Sequence, residues 1–163
     1  SKPALSRGIP VLVCGDVIRE ETERRGLPLT PESMAEVMLS IRREEGQAVV
    51  AERLIPKIRA SRSSVVVVEG VRSMAEVEAL RRVYSVATVA VHASPKTRYE
   101  RLIDRARSDD PKTWQAFVDR DSRELSVGIG NVIALAEEML INETSPSGFE
   151  ALSEAVISRV TTR

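Results

Sequence analysis

Ser63–Arg72 reads SSVVVVEGVR, four valines running into an acid, a glycine and an arginine. A continuous β-branched run of this kind fits a strand covered on both faces, as in parallel sheets. In open α/β sheets, ligands sit in the crevice beyond the carboxyl ends of the strands. Glu69, Gly70 and Arg72 therefore stand where a ligand would be met. Any buried strand needs a polar exit, so one such ending proves little by itself.

The ending recurs. Ile9–Asp16 (IPVLVCGD), Ser85–Ser94 (SVATVAVHAS) and Glu137–Glu143 (EEMLINE) read as further strands. Asp16 closes the first, and His92 stands near the end of the second. Between the strands lie helical stretches with readable starts. Thr30 is an N-cap with Pro31 at the first helical position, and that helix runs to Gly46. Ser94 and Pro95 repeat the device. A further helix begins near Gln47, with Pro56 expected to bend or break it. Helices also read over SMAEVEALRRVY, DPKTWQAFVDRDSRELS, GNVIALAEEM and SPSGFEALSEAVISRV. Strands alternating with helices predict one α/β domain over residues 1–163, a parallel sheet with helices on both faces.

Composition narrows the class. A hydrophobic fraction of 42% supports a core, but aromatics are only 3%, so Val, Leu, Ile and Ala must build it. No apolar run approaches the roughly 18 residues of a membrane span. The opening SKPALSRGIP lacks the apolar stretch of a secretory signal. One cysteine, Cys14, excludes an internal disulfide. A soluble cytoplasmic protein is the expectation. Net charge is zero, which argues against a nucleic-acid partner. Of the 24 basic residues only four are lysines. Arginine suits phosphate and carboxylate oxygens, although a thermophilic or GC-rich source would explain the bias equally well.

The arginines fall where phosphate chemistry would want them. Asp16 and Arg19 share GDVIR; Glu69 and Arg72 share EGVR. Arg98, Arg101 and Arg105 are spaced i, i+3, i+7 on one helix face, with Arg107 beyond, and Arg120 and Arg123 lie in DRDSR. Phosphoryl transfer needs positioning, a metal ion and positive charge around the transferring group. Glu69 fits a carboxylate holding Mg²⁺ through water. Arg19 and Arg72 fit clamps for an acceptor phosphate. Equally, Arg98, Arg101 and Arg105 read as a solvated face paired with Glu100 and Asp104. Cys14 reads as a small buried hydrophobe and His92 as structural, while Trp114 and Phe117 read as packing. No Cys/His cluster suggests zinc, and Ser64, Ser94 and Ser126 lack a His–acid setting.

GDVIREE resembles the GD-x-x-R of adenylate kinases, and VVVVEGVRSMAEVEAL their strand, acid–glycine pair, arginine and helix. The longer strings GDVIREETERRGLPLTPESMAEV, VHASPKTRYERLIDRARSDDPKTWQAF and RDSRELSVGIGNVIALAEEMLINE look like an archaeal family of adenylate-kinase-related P-loop proteins. The resemblance covers almost the whole chain. It implies a P-loop nucleotide-kinase fold, a three-layer sandwich with sheet order 2-3-1-4-5, and binding of ATP and Mg²⁺. It implies that Asp16, Arg19 and Arg72 face the acceptor phosphate and that Glu69 is the Mg²⁺-side acid. Residues from about 30 to 60 would bind the acceptor. A lid would span about 105–125, with Arg101 and Arg105 at its start and Arg120 and Arg123 on its far side, as catalytic residues.

One motif of that fold is missing from these 163 residues: no G-x-x-x-x-G-K-[ST] occurs. The strand that precedes it would be the middle of the sheet, so SVVVVEG and SVATVAVHAS would carry unpaired edges. A fragment or mis-set start is the favoured expectation. A complete but degenerate chain, or a sheet rebuilt by another segment or subunit, are the alternatives; Ser1 with Pro3 as a helix start leans slightly towards a chain that begins here. Functionally, ATP-dependent phosphoryl transfer to a small phosphorylated acceptor, such as a nucleotide, competes with a nucleotide-responsive binding module without turnover. An RNA-associated role lacks the basic and aromatic pattern it would need.

Overall fold

The structure, a computed structural model, describes residues 2–107 and 109–161. Ser1, read above as a helix start, lies outside them. The elements run α1 (Lys2–Ser6), β1 (Val11–Val13), α2 (Cys14–Arg24), α3 (Pro31–Glu45), α4 (Val49–Ser61), β2 (Val67–Glu69) and α5 (Met74–Arg81). Then follow β3 (Val89–His92), α6 (Pro95–Arg105), α7 (Trp114–Val127), α8 (Ile129–Ala134), β4 (Glu138–Ile141) and α9 (Pro146–Thr161).

Every strand pairing is parallel. Val11 to Val13 run beside Val67 to Glu69, and Val89 to His92 beside Glu138 to Ile141. The result is two two-stranded ribbons, β1–β2 and β3–β4, with no ladder between β2 and β3 among the described residues. Those are the two strands expected to carry unpaired edges.

Local chemistry sets the helix starts. The Thr30 hydroxyl accepts the Ser33 amide at 3.3 Å, and Pro31 opens α3. Ser94 does the same for α6 through the Thr97 amide, with Pro95 next. Ser73 starts α5 with a full capping box: its hydroxyl accepts the Glu76 amide while the Glu76 carboxylate reaches back to the Ser73 amide.

Three expectations need correction. The first strand ends at Val13, not Asp16; Cys14, Gly15 and Asp16 form the first turn of α2. There Asp16 faces the positive end of the helix, which favours an acid in that turn. Of the bend or break expected at Pro56, the break does not occur, since α4 runs unbroken from Val49 to Ser61. Pro56 and Glu52, whose carbonyl loses its partner, are both exposed, so water can satisfy that carbonyl. Third, the strands are not covered on both faces. Val65 to Val68 are only half-buried, and Val91 and Met139 are 51% and 53% exposed. Among the described residues each strand has a ladder partner on one side only, which leaves side chains near the other edge open.

The core sits on the first ribbon's side. Cys14, Val17, Ile18, Val37, Met38, Ile41, Val49, Val50 and Leu54 pack α2, α3 and α4 together, with Leu12 and Val68 from the strands against them. A smaller cluster of Ala51, Ala79 and Leu80 joins α4 to α5 and again meets Val68. Aliphatic and small side chains do this work, as the low aromatic content requires.

Candidate functional site

A cavity of about 220 Å³ opens between α2, α3, the β2–α5 connection and α7. α2 supplies Gly15, Ile18 and Arg19; α3 supplies Glu32, Met34, Ala35 and Met38. Arg72 enters from the connection after β2, Asp109 and Pro111 from the α6–α7 connection, and Ala116, Asp119, Arg120, Arg123 and Glu124 from α7. The lining thus combines the apolar side chains of Ile18, Met34, Ala35 and Met38 with the acids Glu32, Asp109, Asp119 and Glu124 and with four guanidinium groups.

Three of those four are held by carboxylates of the chain itself. Arg19 reaches Asp16 at 2.6 Å and, ninety residues along the chain, Asp109 at 2.8 Å. Arg72 donates to Glu124 at 2.8 Å. Arg120 donates to the same Glu124 oxygen at 3.1 Å and lies 3.5 Å from Asp110. Arg123 has no ion-pair partner among the described residues. Burial works against ionisation of Glu124, but the charges of Arg72 and Arg120 outweigh it and hold the carboxyl below its ordinary range. Asp110 follows the same pattern: burial opposes its charge, while Arg105 and the Arg107 amide hold the carboxyl low.

The expected site residues divide accordingly. Arg19, Arg72, Arg120 and Arg123 line one cavity, and Asp16 stands beside it on Arg19. Glu69, the last residue of β2, is half-buried outside the lining. Arg101 and Arg105 also lie outside it. Arg101 donates to the carbonyl oxygens of Asn142 and Thr144 beyond β4, and Arg105 pairs with Asp110. The shared arginine face of α6 therefore disperses. Arg98 forks onto Asp121 with two bonds of 2.7 Å and covers the Phe117 ring at 5.1 Å. None of the three pairs with Glu100 or Asp104.

Cys14 is buried, and its thiol is pushed up to about 12, first by burial and then by the nearby Glu76 charge. It is a packing residue, as read. Phe117 is buried, whereas Trp114 is half-exposed against Tyr99. His92 is exposed at the end of β3.

Glu124, Asp109 and Glu76 were not singled out from sequence. Glu76 and Glu124 sit on helices, where acids look like a solvated face, and Asp109 sits in a connection. Glu76 was nonetheless detectable through S-x-x-E at Ser73–Glu76, and Glu124 through its spacing of four from Arg120.

Among the described residues no group of three or more His, Cys, Asp or Glu could hold a metal ion, and no helix is long and apolar enough to cross a membrane.

The AAA domain family matches residues 3–117. The chain is 49% identical to a UPF0200 protein of Hyperthermus butylicus, over 99% of this chain and 87% of that protein. It is 48% identical to a UPF0200 protein of Pyrococcus horikoshii, over 94% of this chain and 86% of that one. A UPF0200 protein of Pyrococcus furiosus is 50% identical over the same shares.

Proposed function

Since the chain belongs to the UPF0200 family, of archaeal P-loop proteins with a nucleotide-kinase-like α/β fold, we propose that it transfers the γ-phosphoryl group of ATP to a small phosphorylated acceptor, with a nucleoside monophosphate as the leading class. The observation that carries the reading is the convergence of Arg19, Arg72, Arg120 and Arg123, from three separate parts of the fold, on one cavity. Four guanidinium groups suit a dianionic phosphate. The Ile18, Met34, Ala35 and Met38 wall suits the flat apolar body attached to it.

In this reading Arg19 and Arg72 hold the acceptor phosphate. Arg120 and Arg123 reach it from α7 and spread the negative charge that builds during transfer. Asp109 and Glu124 fix the guanidinium forks in the absence of ligand, which lowers the reorganisation needed on binding. Glu69, at the end of β2, would hold Mg²⁺ through water. The chemistry supplied there would be positive charge to offset that of the nucleotide phosphates. Arg101 and Arg105 lie outside the cavity wall and serve the nucleotide side, by resemblance alone.

The test is ADP release from ATP and Mg²⁺ with a panel of nucleoside monophosphates. Arg72→Ala should lower turnover about 100-fold or more, on the scale of losing one charge-stabilising donor, with some loss of melting temperature because Glu124 keeps only Arg120. Full turnover in that variant would remove Arg72 from the clamp.

A binding module without turnover is the second reading. It is favoured by the internal neutralisation of three of the four arginines. A nucleotide that raises the melting temperature yet is never consumed would select it.

A further inference from the structure

Behind the cavity, and outside its lining, lies a buried ion pair. Glu76 is 0% exposed and Arg42 5%, and they meet at 2.5 Å. Arg42 also donates to the Met38 carbonyl at 3.0 Å, so it is rooted in the turn of α3 that carries an apolar wall residue. The other oxygen of Glu76 accepts the backbone amides of Arg72, at 2.7 Å, and Ser73, at 3.2 Å.

A buried carboxylate with an arginine on one oxygen and two amides on the other is costly to desolvate. A capping box alone does not need it: the box requires a reach back to the N-cap amide only. The additional bond to the Arg72 amide, one residue further out, fixes the backbone of the residue whose guanidinium enters the cavity. The Arg42 partner then ties that backbone to the wall of α3.

We propose that Glu76 and Arg42 are positioning residues for Arg72: their ion pair sets the distance between the anion clamp and the apolar wall, and so the size of acceptor that fits. This rests on the acceptor-site reading above.

The test uses the full chain, with AMP and inorganic pyrophosphate as probes in calorimetric titration. The variants are Glu76→Gln, Arg42→Lys and Ser73→Ala, each alone and with Arg72→Ala. Hydrogen exchange at the Arg72 amide is followed in the ligand-free protein. Glu76→Gln should weaken AMP binding about tenfold or more, with little further loss when Arg72 is already alanine, because coupled residues are not additive. Arg72 amide protection should fall in step. Arg42→Lys should shift both readouts the same way by less, and it carries the test if Glu76→Gln does not fold. Ser73→Ala, which removes only the hydroxyl side of the cap, should lower the melting temperature while leaving both readouts near wild type.

An equal loss of binding in the Arg72→Ala background, or an unchanged Arg72 amide, would overturn the positioning role. If Arg72→Ala itself leaves AMP binding intact, the acceptor-site reading fails, and the Arg72 amide alone decides the positioning role.

Discussion

At the scale of single residues, the molecule is organised by carboxylates that each serve several arginines. Glu21 is the densest case. Buried in α2, it accepts from Arg24 at 2.6 and 2.8 Å, from Arg25 at 2.6 Å and from Arg53 at 3.0 Å. The Arg24 bonds first, then those of Arg25 and Arg53, outweigh its burial and hold its carboxyl well below the ordinary 4.5. A carboxylate whose pKa is depressed by folding contributes stability that is complete above its unfolded pKa. That contribution is lost as pH falls through the folded value. The melting temperature should therefore drop as pH falls below about 4.5. Glu21→Gln, already less stable at neutral pH, should decline less steeply over that range. Parallel curves would show that Glu21 contributes no pH dependence. Little of this pairing was legible in the sequence. The residue types were visible, but Arg19 and Asp109 lie ninety positions apart, and only the fold brings them together. The four cavity arginines were all singled out from sequence; of the carboxylates that hold them, Asp16 was, but Asp109, Asp110 and Glu124 were not.

At the scale of elements, the starts of helices were far more legible than their ends. Thr30–Pro31 and Ser94–Pro95 carry their stop-and-start chemistry in adjacent residues, so local sequence suffices. Strand limits depend on what the neighbours cover, which is why the valine run shrinks to Val67–Glu69. The end of α6 illustrates a local cost that sequence does not display. Ala106 caps that helix in the left-handed region, at φ 50°. A side chain there costs roughly 1–2 kcal/mol, whereas glycine adopts it freely. Part of the gain returns as the greater freedom of the unfolded glycine chain. Ala106→Gly should still raise stability by up to about 1 kcal/mol, or about 2–4 °C in melting temperature for a chain of this size. A lower melting temperature would mean that the Ala106 methyl makes contacts worth more than the backbone strain.

At the scale of the whole molecule, the two ribbons rest on unequal foundations. Ile41, Val50 and Ala51, on α3 and α4, are 0% exposed. Around the second ribbon burial is thinner, through Ala90, Ala93, Leu140 and Val156. The alternation of strands and helices made the α/β class readable in advance, and the resemblance supplied the strand order. The imbalance was not readable, because apolar runs of similar length lie on both sides. Regions of low apolar burial open at lower free energy than the core. Hydrogen exchange followed by mass spectrometry should find peptides over residues 37–54 more protected than those over 89–92 and 138–141. Equal protection would mean that both halves open only together.

Trp114 gives these ideas an optical handle. It is the sole tryptophan, it opens α7 directly after the α6–α7 connection, and its ring stands edge-on to Tyr99 of α6 at 5.3 Å. A connection that swings to admit a ligand would pull this fluorophore away from its tyrosine neighbour and change its wetting. Emission colour and tyrosine-to-tryptophan energy transfer would report that swing with no dye attached, in the unmodified protein, on the timescale of mixing.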